Sequence, residues 1–207
     1  MMGCVEMLRT CNGSTMIPRA HLREGAPSLH SDASTWGFGW ICDQTRRFAS
    51  EPWPLEVADV HINVLEMAAA SAGMLDLQQQ LAAKNAAPAA VHVYCDNTSA
   101  CACISTLGTS ALSLAPCTNT LANAAASLNF TPLVSWVQSE LNPADAPSRG
   151  LVPPALAGWT RARYSQAQMA LWAVPPAGAS GTACLLSSMT ERRCPSTYDS
   201  PSAASAC

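Results

Sequence analysis

The chain has 207 residues, of which 49% are hydrophobic and 12% are charged, and its formal net charge is −3. This length allows one well-buried core, so we expect one domain with tails. With only eleven Lys and Arg residues, the composition argues against a protein whose own basic surface grips nucleic acid strongly. Binding to phosphate through divalent cations, or with the help of a partner domain, stays open.

The cysteines do not predict a disulfide framework, although there are ten of them. The N-terminal sequence MMGCVEMLRT has no apolar segment typical of secretion, so we expect reduced, mostly buried thiols. Cys101 and Cys103 form a C-x-C pair, and no C-x-x-C pair with His at zinc spacing is present. No run approaches the ~18 apolar residues of a membrane span. We therefore expect an intracellular protein, in the cytoplasm or nucleus, that is not secreted and contacts no membrane.

The pattern of apolar residues and turn signals predicts strands first and then strands that alternate with helices. Strands are predicted over Leu29–Ser34, Trp36–Cys42, Arg46–Ser50, Val91–Asp96 and Pro132–Gln138. Helices are predicted over His61–Ala83, Thr98–Leu107 and Leu114–Leu128, with a loop over Glu51–Asp59 and a short helical turn between Asn142 and Gly150. Hairpins followed by β-α-β crossovers indicate an α/β fold, a mixed five-stranded sheet with helices on both faces.

The domain prediction follows from where this pattern begins and ends. Residues 1–26 carry few signals and are interpreted as a linker or the remnant of an upstream region. Residues 27–150 form the domain. Residues 151–207 are rich in Pro, Ser and Ala, and we expect them to be a largely disordered tail.

Glu66 stands out within the predicted long helix. On a helix it shares one side with apolar and small residues, namely Ile62, Ala70, Gly73 and Leu77. A carboxylate in an apolar stripe is unfavourable unless an arginine, a backbone amide or a metal ion compensates its charge. Two other interpretations remain open. Asn63 and Glu66 have the spacing of a capping box, with Ile62 and Met67 as its hydrophobic staple, or the helix is rotated and Glu66 is solvated.

Three further carboxylates lie at element ends. Asp32 ends the first strand, Asp96 ends the strand after the long helix, and Asp145 opens the final turn. Such residues gather at one edge of an α/β sheet. Four carboxylates there, with Glu66, would repel one another unless cations neutralised them. Oxygen ligands suit Mg²⁺ or Mn²⁺, and two such ions about 3.5–4 Å apart support phosphodiester cleavage.

Four segments, SDASTWGFGW, HINVLE, VYCDN and NPADAPSR, resemble in this order and spacing the ribonuclease H domain of retroelement reverse transcriptases. The nearest likeness is to the DIRS-type, tyrosine-recombinase retrotransposons, and it covers about residues 27–150. The order Asp, Glu, Asp, Asp differs from that of integrase-type relatives, whose last acidic residue is a Glu. The resemblance implies a ribonuclease H-like fold and a phosphodiester hydrolase that cleaves the RNA strand of RNA–DNA hybrids with two Mg²⁺ or Mn²⁺ ions.

The resemblance also implies residue roles and partners. Asp32 would bridge both metals, Glu66 and Asp96 would share the metal on the leaving-group side, and Asp145 would hold the metal that activates water. Asn63 and Asn97 are expected to contact sugar edges of the hybrid. The polymerase domain of the parent element is the expected protein partner, and residues 1–26 would be what remains of the polymerase or connection region.

Some features depart from the family pattern. The interval Ser139–Asn142 contains no histidine, where many members carry a mobile one, and no basic helix–loop is evident. These departures keep an alternative open, a catalytically inactive ribonuclease H-like remnant that acts as a structural or interaction module. A weaker alternative is an unrelated α/β fold in which the acidic residues are scattered.

Several other side chains have a structural interpretation beside a functional one. Arg149 would contact a phosphate or pair with Glu140 at the surface. Arg46 and Arg47 would contact the nucleic-acid backbone or form an ordinary solvated strand edge. The tryptophans Trp36, Trp40 and Trp136 are predicted to pack in the core rather than to stack on bases.

Overall fold

The computed structural model describes residues 25–57, 59–86 and 88–173, with side chains as far as residue 169. The strands are β1 (Ser28–Ala33), β2 (Gly37–Cys42), β3 (Arg47–Pro52), β4 (Ala90–Cys95), β5 (Thr131–Trp136) and β6 (Thr160–Arg161). The α-helices are α1 (Ile62–Ala83), α2 (Thr98–Thr106), α3 (Ala115–Leu128), α4 (Asp145–Ser148) and α5 (Gln166–Ala173). The predicted helices and strands within 27–150 are confirmed, and most of their ends agree to within one residue.

The strands form one mixed sheet of six, in the order β5-β4-β1-β2-β3-β6. Strands β1, β2 and β3 form an antiparallel meander, while β4 pairs parallel with β1, and β5 pairs parallel with β4. The α/β prediction is therefore confirmed. The prediction of five strands is wrong, because β6 pairs parallel with the outer edge of β3.

Helix α1 packs closely on one face of the sheet because a glycine stands at the contact. A Cβ on Gly73 would lie 2.7 Å from Leu29 Cδ1 and 3.0 Å from Trp40 Cγ. Helix α3 packs against α1 in turn, and the Ser71 hydroxyl in α1 donates to the carbonyl of Cys117 at 3.0 Å. Covered by both the sheet and α3, α1 is buried over most of its first four turns.

Helix α4 lies on the opposite face. Side chains alternate along a strand, so Asp32 and Gly39, which are register partners, point away from the α1 face that Leu29 and Trp40 occupy. A Cβ on Gly39 would lie 2.6 Å from the amide nitrogen of Ser148. The Ser50 hydroxyl donates to the carbonyl of Pro147 at 2.8 Å. Helices thus flank both faces of the sheet, as predicted.

Residues 151–173 belong to the folded unit, so this part of the predicted, largely disordered tail over residues 151–207 is ordered. Ala162 and Met169 are buried in the main core. The Tyr164 hydroxyl accepts from Trp40 Nε1 at 3.0 Å and donates to the carbonyl of Ala72 at 3.3 Å. The rest of the predicted tail, residues 174–207, and the predicted linker up to residue 24 lie outside the described residues.

The predicted loop over Glu51–Asp59 begins two residues too early, because Glu51 and Pro52 complete β3. Glu51 is buried and forms ion pairs with Arg161 at 3.4 Å and Arg163 at 3.2 Å. Arg161 lies in β6 and Arg163 lies just after it, so the pairing of β6 with β3 brings both arginines to Glu51. The strand that was not predicted therefore supplies the ion-pair partners of this buried acid.

The five cysteines in the described part of the chain are all free thiols, and four of them are buried. This confirms, for those five, the prediction of reduced thiols. Within the same part of the chain, no helix has both the length and the apolar character needed to cross a membrane.

Candidate metal centre

The predicted acidic residues lie at the positions where elements end or begin. Asp32 is the penultimate residue of β1, and Asp96 directly follows β4, its parallel neighbour. Glu66 is in the second turn of α1, and Asp145 is the first residue of α4. Parallel strands place their carboxyl ends at a common edge of the sheet, so β1 and β4 bring Asp32 and Asp96 there.

Glu66 is buried, with 4% of its surface exposed. Desolvation and the charges of Asp32 and Asp96 raise its pKa to about 9, against a smaller opposing effect of a backbone hydrogen bond at Ala33. Both structural alternatives for Glu66 are wrong. The helix cap is His61, whose Nδ1 accepts from the Asn63 amide at 3.2 Å, and Glu66 is not solvated.

Asp32 is the carboxylate that interacts with the three others. It is 3% exposed, and burial together with the charges of Asp96 and Asp145 raises its pKa to about 7, opposed by a hydrogen bond from Ser148 and the charge of Arg149. Its charge also contributes to the raised pKa of Glu66. The charges of Asp96 and Asp145 thus act on Asp32, and those of Asp32 and Asp96 act on Glu66. The group whose ligand atoms lie within 4.8 Å of one another includes Glu66 and Asp96 but neither Asp32 nor Asp145.

Glu66 and Asp96 form a group of neighbouring metal-ligating atoms with Cys95, which was not among the predicted ligands. One ligand atom from each lies within 4.8 Å of the others. Cys95 lies on the same side of β4 as Val91 and Val93, and all three are buried there. Because Cys95 is the last residue of the strand, its sulfur also reaches Glu66, with Sγ 4.0 Å from Oε2. The sequence signal that could have identified Cys95 as a ligand was its position directly before Asp96, an acidic residue at a strand end.

Asp96 is held by two residues from the end of β5 and the loop that follows. The Ser139 hydroxyl donates to Asp96 Oδ2, and Trp136 Nε1 donates to the Asp96 carbonyl at 2.7 Å. Trp136 is 57% exposed and Trp36 is 43% exposed, so the prediction of core packing is wrong for both and confirmed only for Trp40. An exposed aromatic ring therefore stands directly beside the candidate site.

Asp145 is paired with Arg149 on the next turn of the chain. Arg149 donates to Asp145 Oδ1 from Nε at 3.0 Å and from Nη2 at 2.8 Å. The predicted pairing of Arg149 with Glu140 is thus replaced by an i,i+4 ion pair inside the candidate site. Asn142 anchors this segment, because its Nδ2 donates to the Ser31 carbonyl at 2.9 Å and its Oδ1 accepts from the Ala144 amide at 3.2 Å.

The predicted substrate-binding asparagines contact each other between α1 and α2. Asn97 caps α2, with Oδ1 accepting from the Ala100 amide at 3.0 Å, and its Nδ2 donates to Asn63 Oδ1 at 2.9 Å. Asn63 Nδ2 donates to the Ser99 hydroxyl at 3.3 Å. Both side chains are partly exposed, and these bonds give them a structural role beside any contact with substrate.

Arg46, which directly precedes β3, and Arg47, the first residue of β3, have partners within the protein. Arg47 forms a two-point ion pair with Asp76, from Nε at 2.8 Å and from Nη2 at 2.7 Å. The guanidinium of Arg46 lies 5.8 Å from the ring centroid of Trp159. Arg47 is therefore committed to joining β3 and α1, which does not fit the predicted contact with a nucleic-acid backbone.

Fold and site together define an α/β protein with a six-stranded mixed sheet and, at the carboxyl ends of two parallel strands, acidic residues of which Asp32 and Glu66 are buried. A search against family models gives no match for this chain, and none of the curated proteins matches it significantly.

Proposed function

We propose that this protein is a metal-dependent endonuclease that cleaves the RNA strand of RNA–DNA hybrids, as the ribonuclease H part of a retrotransposon reverse transcriptase. The observation that carries the proposal is the electrostatic interaction among Asp32, Glu66, Asp96 and Asp145. Asp32 and Glu66 are 3% and 4% exposed, and their pKa values are raised to about 7 and about 9. Burying acids in this way is unfavourable for the fold unless a cation compensates them.

A ribonuclease H-like arrangement of the sheet is part of the proposal. It is supported by the antiparallel meander β1-β2-β3 followed by the parallel strands β4 and β5 on the other side of β1. It is also supported by the elements that carry the four acids, which are β1, α1, the end of β4 and α4. Strand β6 adds to the outer edge of β3, away from β1 and β4.

The donor set fits Mg²⁺ or Mn²⁺, because all four predicted ligands offer carboxylate oxygens. Two bound ions would supply charge neutralisation and an activated water for phosphodiester hydrolysis. The residues of the chain hold these ligands in place. Glu66 is held in the buried second turn of α1, while Asn142 ties the segment before Asp145 to β1 through the Ser31 carbonyl.

Hybrid recognition is assigned to groups around this edge. Trp136 offers an exposed flat ring beside Asp96 that suits contact with a sugar or a base. Asn63 and Asn97 lie at the start of α1 and α2, where amides can contact 2′-hydroxyls. The net charge of −3 gives little attraction for phosphates, so the polymerase domain of the parent element is expected to supply most of the affinity.

The test is hybrid cleavage by the purified chain and by Asp96→Asn in Mg²⁺. Loss of one metal-binding carboxylate should remove several kcal/mol of transition-state stabilisation, on the order of a 1000-fold fall in rate. Asp59→Asn is the matched control, because Asp59 is an exposed aspartate outside the cluster, and it should cleave like the unaltered protein. Equal cleavage by the unaltered protein and Asp96→Asn, or no cleavage by the unaltered protein, would remove the proposal.

One observation favours the inactive structural module as a second candidate. Arg149 already places a positive charge on Asp145, as a cation would. If the site binds metal, Arg149→Ala should strengthen Mg²⁺ binding by up to about fivefold, because an exposed ion pair is worth about 0.2–1 kcal/mol. Calorimetric titration measures this directly. No binding heat in either protein, together with no hybrid cleavage, would favour the inactive module.

A further inference from the structure

Glu66, Cys95 and Asp96 form a mixed donor set of two carboxylates and one thiol. We propose that this set binds Zn²⁺ or another thiophilic divalent cation, and that such binding blocks the site. The binding itself stands independently of the proposed nuclease, whereas the blocking effect rests on it.

The three donors are already close to the spacing that a single ion requires. Their ligand atoms all lie within 4.8 Å of one another, and Cys95 Sγ is 4.0 Å from Glu66 Oε2. In tetrahedral zinc sites, Zn–S is about 2.3 Å and Zn–O about 2.0–2.2 Å, which separates S and O ligands by roughly 3.5 Å. A contraction of about half an ångström therefore brings the sulfur and Glu66 to ligand distance.

The thiol decides which cation is preferred. Thiolate is a soft ligand that selects zinc over magnesium, whereas Mg²⁺ requires oxygen ligands. Three protein ligands with a further open position is also a common composition of zinc sites that keep a water. Asp96 is partly exposed, so water can reach the cluster from the side of Asp96.

A hydrogen bond with Cys101, burial and the charge of Glu66 raise the pKa of the Cys95 thiol, so a bound cation would have to displace its proton, while the Asn97 amide favours the ligand form. The Asn97 amide lies 3.5 Å from Cys95 Sγ and points its N–H at the sulfur. The Cys101 thiol donates to the Cys95 carbonyl at 3.4 Å, which helps to hold the residue in place. Binding of the ion to these donors would release two protons, one from the Cys95 thiol and one from the Glu66 carboxyl, and the Asn97 amide would then donate to a thiolate.

Occupation by zinc is incompatible with the proposed magnesium arrangement. Glu66 and Asp96 belong to both donor sets, and an ion bound to them and to Cys95 withdraws two of the four carboxylates. Zn²⁺ should therefore inhibit hybrid cleavage in competition with Mg²⁺.

Binding is tested with Co²⁺ as a spectroscopic probe in place of Zn²⁺, using the full chain under reducing conditions. The unaltered protein should show a sulfur-to-cobalt charge-transfer band that Zn²⁺ abolishes by displacement. Cys95→Ser should lose the band, and its Zn²⁺ affinity should fall about 100-fold, since even supporting groups of a metal site contribute 10–100-fold. Cys103→Ser is the matched control, because Cys103 is a buried thiol on α2 outside the donor set. It should keep both the band and the affinity.

Two results would overturn the proposal. The first is absence of the charge-transfer band in the unaltered protein. The second is persistence of the band in Cys95→Ser, which would show that a different thiol binds the metal. Circular dichroism of each variant separates loss of a ligand from loss of the fold.

Inhibition is measured separately, as hybrid cleavage in Mg²⁺ with increasing Zn²⁺, each variant normalised to its own activity without zinc. Half-inhibition of Cys95→Ser should require about 100-fold more Zn²⁺ than that of Cys103→Ser. If the chain cleaves no hybrid but shows the cobalt band, the nuclease proposal fails and the zinc site stands. If it cleaves hybrid without the band, the reverse holds.

Discussion

Glu66 is the residue whose environment is most unusual. It lies on α1 and is buried, and this burial together with the negative charges of Asp32 and Asp96 raises its pKa to about 9. At neutral pH without metal, its carboxyl therefore holds a proton that it would lose in the unfolded chain. The pKa of Asp32 is also raised, to about 7, so Asp32 keeps its proton in the folded state over a narrower pH range than Glu66 does. The site is thus electrostatically unfavourable when both acids are charged.

This environment predicts that stability falls with rising pH in the absence of metal. Between the ordinary Glu pKa of 4.5 and about 9, the folded state binds more protons than the unfolded state, so the free energy of unfolding decreases as pH rises. The slope due to Glu66 alone approaches about 1.4 kcal/mol per pH unit. Urea unfolding in EDTA at intervals from pH 5 to 9 measures it.

Glu66→Gln removes the titrating group and should flatten this dependence above pH 7. Excess Mg²⁺ should flatten it for the unaltered protein, because bound cations favour the charged carboxylates. The surface variant Asp59→Asn should keep the original slope. A stability that rises with pH over this range in EDTA would contradict the account.

At the scale of elements, the site depends on how closely α4 approaches the sheet. Gly39 in β2 allows this approach, since a Cβ there would lie 2.6 Å from Ser148 N, 2.7 Å from Pro147 Cβ and 2.8 Å from the Ala144 carbonyl. Two of these three neighbours are backbone atoms and cannot move aside alone. The position of Asp145, at the start of α4, therefore depends on the lack of a side chain at Gly39 in β2.

Gly39→Ala should displace α4 and weaken both the fold and the site. Overpacking of this kind costs about 1–3 kcal/mol, and the displacement of Asp145 should lower hybrid cleavage beyond the loss of stability. Thermal unfolding and cleavage below the unfolding range separate the two effects.

Gly108→Ala is the comparison variant, because the nearest atom to a Cβ at Gly108 is 3.7 Å away. It should leave both stability and cleavage close to those of the unaltered protein. If Gly39→Ala unfolds and cleaves like Gly108→Ala, then α4 is not held by this contact.

At the scale of the whole molecule, the folded unit is completed by residues beyond the acidic site. Strand β6 covers part of the outer edge of β3, and Tyr164 bridges the sheet and α1 through Trp40 and the Ala72 carbonyl. Met169 in α5 is buried in the main core. Without this segment, Glu51 would lose both of its arginine partners.

A chain that ends at residue 150 should therefore be less stable than the full chain by several kcal/mol. It would leave a buried acid unpaired, a core hydrogen bond unmade and apolar surface exposed. Urea unfolding measures the difference. Tyr164→Phe should reproduce a part of it, about 1–3 kcal/mol, because Trp40 Nε1 would be left without this acceptor in the core. Equal stability of the shortened and full chains would show that residues 151–173 add nothing to the fold.

The α/β class, the elements within 27–150 and the candidate acids could be predicted from the sequence alone, because these follow from local patterns. Alternating residues such as Val91, Val93 and Cys95 mark a strand, and a long run of small and apolar residues marks α1. Strand-end positions of Asp32 and Asp96 indicated a common edge. All of these signals are contained within a few neighbouring residues.

Which side chains contact one another could not be predicted in this way, because it depends on how the elements pack. Strand β6 has two residues in a stretch rich in Pro and Ala, and it exists through its pairing with β3 rather than through its own pattern. Glu66 forms no capping box, since the helix already has His61 as its cap and the packing of α1 on the sheet buries the carboxylate. Cys95 joins Glu66 and Asp96 because α1 crosses the end of β4. Contacts between residues distant in the chain depend on packing, which local sequence patterns do not encode.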